Sequence, residues 1–145
     1  MSATRTRPAG VTALSIFFLF GAAAALLSFV SLLLPGSFLE PMWRLNPRAR
    51  EGFTEMGAWA VVLMCVVCVS CASSAVGLWR GARWGYWLAV VLLACNLLGD
   101  VANTVTGTEP RAAVGIPIVL ALLAYLLSRR ARHFFVRPSD AERVS

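Results

Sequence analysis

Residues 57–106 read GAWAVVLMCVVCVSCASSAVGLWRGARWGYWLAVVLLACNLLGDVANTVT. Two apolar runs, residues 57–79 and 84–106, flank a short basic turn, Arg80-Gly81-Ala82-Arg83. A helix needs about 17–25 predominantly apolar residues to cross a bilayer, and both runs have that length. The stretch therefore predicts a hairpin of two membrane-spanning helices joined by a tight turn.

Two further apolar runs, residues 11–34 and 112–128, lie on either side of this hairpin. Of the 145 residues, 59% are hydrophobic and only 14% are charged, which excludes an ordinary soluble domain. We predict an all-α fold, a single four-transmembrane-helix bundle with up-down-up-down topology over residues 1–137. Residues 138–145 are predicted to form a disordered cytoplasmic tail.

The distribution of the 13 basic residues, all arginine, predicts the orientation of these helices. Basic residues that flank spans are retained on the cytoplasmic side. Nine arginines fall on one side: Arg5, Arg7, Arg80, Arg83, Arg129, Arg130, Arg132, Arg137 and Arg143. The other side carries Arg44, Arg48, Arg50 and Arg111. Both termini are therefore predicted to be cytoplasmic.

The formal net charge of +6 does not indicate nucleic-acid binding, because the arginines lie at span boundaries and form no continuous basic face. At the hairpin turn, Trp79, Arg80, Arg83, Trp84 and Trp87 are predicted to anchor the protein at the lipid headgroups. After the fourth span, Arg129, Arg130 and Arg132 predict a juxtamembrane anchor, since each arginine near anionic lipid contributes about 1 kcal/mol.

The turn sequence GLWRGARWGYWLA, residues 77–89, resembles the hairpin of small, uncharacterised four-helix bacterial inner-membrane proteins with a GLWxGxRWG-type motif. The resemblance covers this hairpin and, more loosely, the four-span layout. It implies a multi-pass protein of the bacterial cytoplasmic membrane. It carries no known activity, so it assigns no catalytic residue, cofactor or metal.

The loop after the first span contains a second amphipathic pattern. Over residues 38–46, a helical projection separates the apolar side chains from Glu40 and Arg44, which predicts a short interfacial segment with Trp43 at headgroup depth. The alternative is an irregular loop that caps the bundle. Asn46-Pro47 then predicts an N-cap and first helical position, from which one helix would run on into the second span.

The candidate polar site lies in the third span. Asn96, Asp100 and Asn103 are spaced at i, i+4 and i+7 and therefore share one stripe of a helix. Asp100 is the only acid inside a predicted span, and ionisable groups there are costly enough to suggest a function. One interpretation is an interface-level carboxylate paired with Arg111 or Arg44. The other is a polar pocket open to the outside, completed by Cys95 and Ser31.

Cysteines recur every three residues in the second span, at Cys65, Cys68 and Cys71. The spacing is similar to that of thiolate ligands, but no basic residue adjoins them to activate a thiol. Their alignment with small residues instead predicts a face for close helix packing. Redox chemistry and metal binding are the alternatives.

These patterns favour a structural or accessory role, as a subunit or assembly partner, over catalysis. Predicted partners are the lipid bilayer and either another membrane protein or a second copy of the chain. The alternative is a small oligomeric transporter that uses the polar site around Asp100. A thiol redox membrane enzyme is a third hypothesis, although no nucleophile and base pair or phosphate-binding loop supports an enzyme.

Overall fold

The computed structural model describes residues 8–107 and 112–136, and in these ranges the protein is built from helices without strands. The helices are α1 (Ala9–Leu33), a 3-10 helix (Glu40–Arg44), α2 (Pro47–Met56), α3 (Ala58–Trp79), α4 (Arg83–Val105), α5 (Ala112–Leu127) and α6 (Arg129–Val136). The all-α prediction is confirmed.

Three helices, α1, α3 and α4, are long and apolar enough to cross a membrane. Their 25, 22 and 23 residues correspond to about 33–38 Å at 1.5 Å per residue, enough for a hydrocarbon core of about 30 Å. Helices α5 and α6 are each too short to count as a span, and they reach the required apolar length only when taken together, with a bend of 56° between them. Three to four helices could therefore span a bilayer, which indicates a multi-pass membrane protein.

The helices pack as two pairs that meet at one end. Helix α1 packs along α3, α4 packs along α5, and α3 joins α4 through the turn at residues 80–82. We call the end with this turn and α6 the hairpin end, and the opposite end, with residues 34–57 and 106–107, the loop end. The main hydrophobic core holds both pairs together and contains Val11, Leu14, Phe18, Ala75, Leu78, Tyr86, Ala89, Leu93, Val119, Leu126 and Phe135.

Glycines allow α3 and α4 to approach closely at the hairpin end. A Cβ atom added to Gly77 would lie 2.5 Å from the Cα atom of Gly85, so neither position has room for a side chain. Gly81, in the turn between them, has a positive φ of 68° that favours glycine. Gly77, Gly81 and Gly85 therefore set the geometry of the hairpin.

The bend between α5 and α6 brings α6 back onto the hairpin end. Tyr86 donates a hydrogen bond from its hydroxyl to the carbonyl oxygen of Leu126, at 3.1 Å, close to the point where α5 ends. The ring of Phe135 lies 5.2 Å from that of Tyr86, and Ala131 is fully buried. One side of α6 is thus part of the core.

At the loop end, the prediction of one continuous helix from Pro47 into the second span is wrong. Asn46 does cap α2, since its side-chain oxygen accepts a hydrogen bond from the backbone N–H of Ala49 at 3.1 Å. However, α2 ends at Met56, and Gly57 has φ 56° and ψ −130°, a conformation that separates α2 from α3. Glycine alone adopts this conformation readily, because it lacks a Cβ atom.

Candidate functional site

The predicted polar stripe on α4 is present, but its three members face different surroundings. Asp100 is half-buried against α5, where a Cβ atom added to Gly115 would lie 2.6 Å from its Oδ2 atom. Asn96 and Asn103 are exposed. The carboxylate therefore points into the contact between α4 and α5, while the two amides lie outside it.

The other two residues proposed for this pocket are also placed elsewhere. Ser31 is buried near the end of α1, where its hydroxyl accepts a hydrogen bond from Nε1 of Trp43 at 2.7 Å. Cys95 is an exposed free cysteine. The structure does not bring Ser31, Cys95 and Asp100 together. The proposed pairing of Asp100 with Arg111 lies outside the described residues.

The exposed amides belong to a longer face of α4. Asn96 lies 11 residues and Asn103 lies 18 residues beyond Gly85 along the helix. Both separations are close to whole numbers of turns at 3.6 residues per turn, so the three residues share one side of α4. At Gly85 this side is buried against α3, but it is uncovered towards the loop end. We call this uncovered part the α4 polar face; its members, all exposed, are Cys95, Asn96, Gly99, Ala102 and Asn103.

The α4 polar face reaches hydrocarbon depth if α4 crosses a bilayer. Asn96 is 13 residues beyond Arg83, about 20 Å along the helix and well within a core of about 30 Å. An amide in hydrocarbon is costly without a hydrogen-bond partner, and amides and small residues are typical of contacts between transmembrane helices. The signal in the sequence is that the small residues Cys95, Gly99 and Ala102 accompany the two amides on this side of α4.

A cavity of about 380 Å³ lies at the loop end, beneath the loop and α2. Its lining combines charged, polar, aromatic and aliphatic side chains: Ser31, Leu32, Pro35, Gly36, Glu40, Trp43, Arg50, Phe53, Thr54, Gly57, Ala58 and Val61. This cavity was not predicted from sequence, because its walls come from four separate elements: α1, the 3-10 helix, α2 and α3.

Trp43 and the break at Gly57 build this cavity. Trp43, predicted as an interface anchor, is only 8% exposed and lies against protein, with its ring 5.7 Å from that of Phe53. Its indole N–H is bound to Ser31, so the 3-10 helix is fixed to the end of α1. These contacts agree with the alternative of a loop that caps the bundle.

Arg50 and Glu40 form an ion pair across the same cavity. Their side chains are 49% and 39% exposed, so solvent reaches both partners. The pair joins α2 to the start of the 3-10 helix. The cavity therefore carries one cationic and one anionic group side by side.

Two of the three cysteines of α3 pack against α1, and the third is exposed. Cys68 donates a hydrogen bond from Sγ to the carbonyl oxygen of Ala22 at 3.5 Å, and Cys71 lies next to Gly21 of α1. Cys65 is exposed, and all four cysteines are free. Within the described residues, no group of three or more His, Cys, Asp and Glu side chains is placed to hold a metal ion.

The hairpin end presents the predicted anchors on its surface. Trp79, Trp84 and Trp87 are each more than half exposed, and the arginines Arg80, Arg83, Arg129, Arg130 and Arg132 are all exposed. Tyr86, which lies between these tryptophans in sequence, is instead 2% exposed and belongs to the core. Arg5, Arg7, Arg137, Arg143 and the tail at 138–145 lie outside the described residues.

No protein-family model matches this sequence, and no curated protein or solved structure gives a significant match. The resemblance of residues 77–89 to a hairpin of bacterial inner-membrane proteins stays a prediction.

Proposed function

We propose that this chain is an accessory subunit of the bacterial cytoplasmic membrane that associates through the α4 polar face with a transmembrane helix of another protein. Four spans, the fourth at residues 112–128, place both termini and the hairpin end, which includes α6, in the cytoplasm. The loop end then faces outward.

The exposed arginines support this orientation. Arg80 and Arg83 lie at the turn, and Arg129, Arg130 and Arg132 lie on α6 at the same end of the molecule. Retention of arginine on the cytoplasmic side accounts for this clustering. The exposed tryptophans beside the turn lie at the depth where aromatic side chains interact with headgroups.

The observation that carries the accessory role is the exposure of Asn96 on a spanning helix. An amide at this depth has no water to bond and gains from a partner helix, at about 1–2 kcal/mol per polar contact in peptides and about 0.6 kcal/mol on average in a folded protein. Gly99 leaves open space in which a second backbone can approach, since a Cβ atom added there would have no neighbour within 4 Å. The face therefore has both features of a helix-docking surface.

Cys95 provides the test, because it is a native thiol on the same face. A variant that keeps only Cys95, with Cys65, Cys68 and Cys71 replaced by Ala, is modified at Cys95 with a maleimide-linked benzophenone, which reacts with neighbouring C–H bonds, and is irradiated in intact membranes. We expect a crosslinked product containing a different membrane protein, and the Asn96→Leu change should reduce its yield. Val101→Ala is the matched control, because Val101 is 41% exposed and lies about 140° around α4 from Asn96.

Two results would contradict the accessory role. If no product forms, the face is covered by lipid alone. If the product contains two copies of this chain, the face is a homo-oligomer contact, which would favour the transporter hypothesis instead.

Transport is the second candidate function, favoured by the position of Asp100. Its carboxylate lies inside the contact between α4 and α5, where a titratable group is able to couple helix packing to an ion or proton. Asp100→Asn separates the two proposals. A transporter should lose coupled uptake in vesicles, whereas an accessory subunit should still yield the Cys95 crosslink at the level of the unchanged chain.

A further inference from the structure

The cavity at the loop end remains open although three contacts hold its walls together. Trp43 is bound to Ser31, Trp43 packs on Phe53, and Arg50 pairs with Glu40. A loop that only capped the bundle would be expected to close onto it. A volume of about 380 Å³ is within the range of about 300–1,000 Å³ that is usual for small-molecule sites.

The walls of the cavity differ in chemical character. Leu32, Ala58 and Val61 come from the ends of α1 and α3 and are apolar, whereas Glu40 and Arg50 come from the loop and α2. If α1 and α3 span the bilayer, this height is the boundary between hydrocarbon and headgroups. The cavity therefore offers an apolar wall and a charged wall at the depth where lipid molecules present the same two parts.

The ion pair defines which headgroup fits the charged wall. Arg50 is a donor suited to phosphate, and Glu40 is an acceptor suited to an ammonium group. A ligand with a phosphate and an ammonium group a short distance apart would replace the single Arg50–Glu40 contact with two ion pairs. Because both side chains are partly exposed, their mutual pairing is weak and opens at little cost.

We propose that the loop-end cavity binds the headgroup of a phosphatidylethanolamine molecule of the outer leaflet. Arg50 binds the phosphate, Glu40 accepts hydrogen bonds from the primary ammonium group, and the apolar wall contacts the start of the acyl chains. This site is independent of the α4 polar face and of the accessory role proposed above.

Native mass spectrometry of the full chain tests this site. The protein is extracted into mild detergent and equilibrated with equal amounts of phosphatidylethanolamine, phosphatidylglycerol and phosphatidylcholine. We expect one phosphatidylethanolamine per chain, retained at least about tenfold over the other two, because a charge-assisted hydrogen bond of about 1.5–3 kcal/mol corresponds to about 10–100-fold in affinity.

Two variants distinguish recognition from a general loss of structure. Arg50→Gln should lower retention of both phosphatidylethanolamine and phosphatidylglycerol about tenfold or more, because each loses its phosphate contact. Glu40→Gln should abolish the preference for phosphatidylethanolamine while phosphatidylglycerol is retained as well as before or better. Arg48→Gln is the matched control, since Arg48 is on α2 but does not line the cavity, and it should leave the preference unchanged.

Equal retention of the three lipids by the unchanged chain would overturn the proposal, as would a preference that survives in both cavity variants. Free phosphoethanolamine is the further probe, because a soluble zwitterion carries the same two charged groups. If it binds while phosphatidylethanolamine is not retained, the cavity is a site for a soluble ligand, and the lipid assignment is wrong.

Discussion

At the scale of single residues, glycine determines where the chain turns and where its helices touch. Gly57 takes a backbone conformation with φ 56° and ψ −130°, which directs α2 away from α3 and leaves the cavity between them. Gly52, in the middle of α2, has no such role, because a Cβ atom there would meet nothing within 4 Å. The two glycines therefore respond oppositely to the same substitution.

Gly57→Ala should lower the free energy of unfolding by about 1–3 kcal/mol, the cost of holding a non-glycine residue in this region. Gly52→Ala should raise it by about 0.5–1 kcal/mol, because alanine is the better helix former. Titration of the purified chain with a denaturing detergent, followed by circular dichroism, measures both. A stabilising effect of Gly57→Ala would show that α2 and α3 prefer to form one helix.

Gly77 is the second residue whose size matters. In Gly77→Ala, the new Cβ atom would lie 2.5 Å from the Cα atom of Gly85, so α3 and α4 must separate. Such overpacking costs about 1–3 kcal/mol. Gly99→Ala is the control in α4, where the added methyl group meets open space. The same denaturation measurement should show a loss for Gly77→Ala and, as for Gly52→Ala, a gain of about 0.5–1 kcal/mol for Gly99→Ala.

At the scale of helices, the amphipathic α6 depends on α4 for its position. It is only eight residues long, and isolated helices shorter than about 12–15 residues are marginal in water. Contacts of Phe135 with Tyr86, and of Phe134 with Gly81, fix it against the hairpin end. The arginines of α6 therefore face outward because its apolar side is buried, which the basic and aromatic sequence indicated only in part.

Tyr86→Phe tests how α4 holds the bend between α5 and α6. The change removes the hydroxyl that donates to the carbonyl oxygen of Leu126, which should lower the free energy of unfolding by about 0.5–1.5 kcal/mol. Proteolysis in mild detergent should also cleave α6 sooner. Val91→Ala, at a position of α4 that is 54% exposed, should have little effect on either measurement. An equal loss in both variants would assign no special role to the Tyr86 hydroxyl.

At the scale of the whole molecule, the proposed topology places the loop end and α6 on opposite sides of the membrane. A chain without native cysteines receives one new cysteine, either at Phe38, which is 90% exposed, or at Arg130. In intact cells, an impermeant maleimide should label Phe38→Cys directly and Arg130→Cys only after permeabilisation. Labelling of Arg130→Cys in intact cells would mean that α5 does not cross the membrane as a fourth span.

Much of the helical layout was predictable from sequence. The ends of the predicted spans 57–79 and 84–106 lie within one residue of the ends of α3 and α4, because long apolar runs between arginines have few other stable structures in lipid. The arrangement of the candidate site was harder to predict from the sequence. The polar residues Asn96 and Asp100 could be identified in the sequence, but whether each side chain is covered depends on which helices pack against that side of α4.

Apolar length and the positions of charges are properties of each segment in its solvent, so an all-helical membrane chain was predictable from sequence. Four spans were predicted, and three to four helices of the structure are able to cross a bilayer. The tertiary structure was needed to show that Trp43 is bound to Ser31, that Arg50 meets Glu40 over a cavity, and that Asp100 faces α5 while Asn96 is exposed. These contacts join segments that are distant in sequence. They depend on the break at Gly57 and on the close approach of α3 to α4, and neither can be predicted from a local sequence pattern.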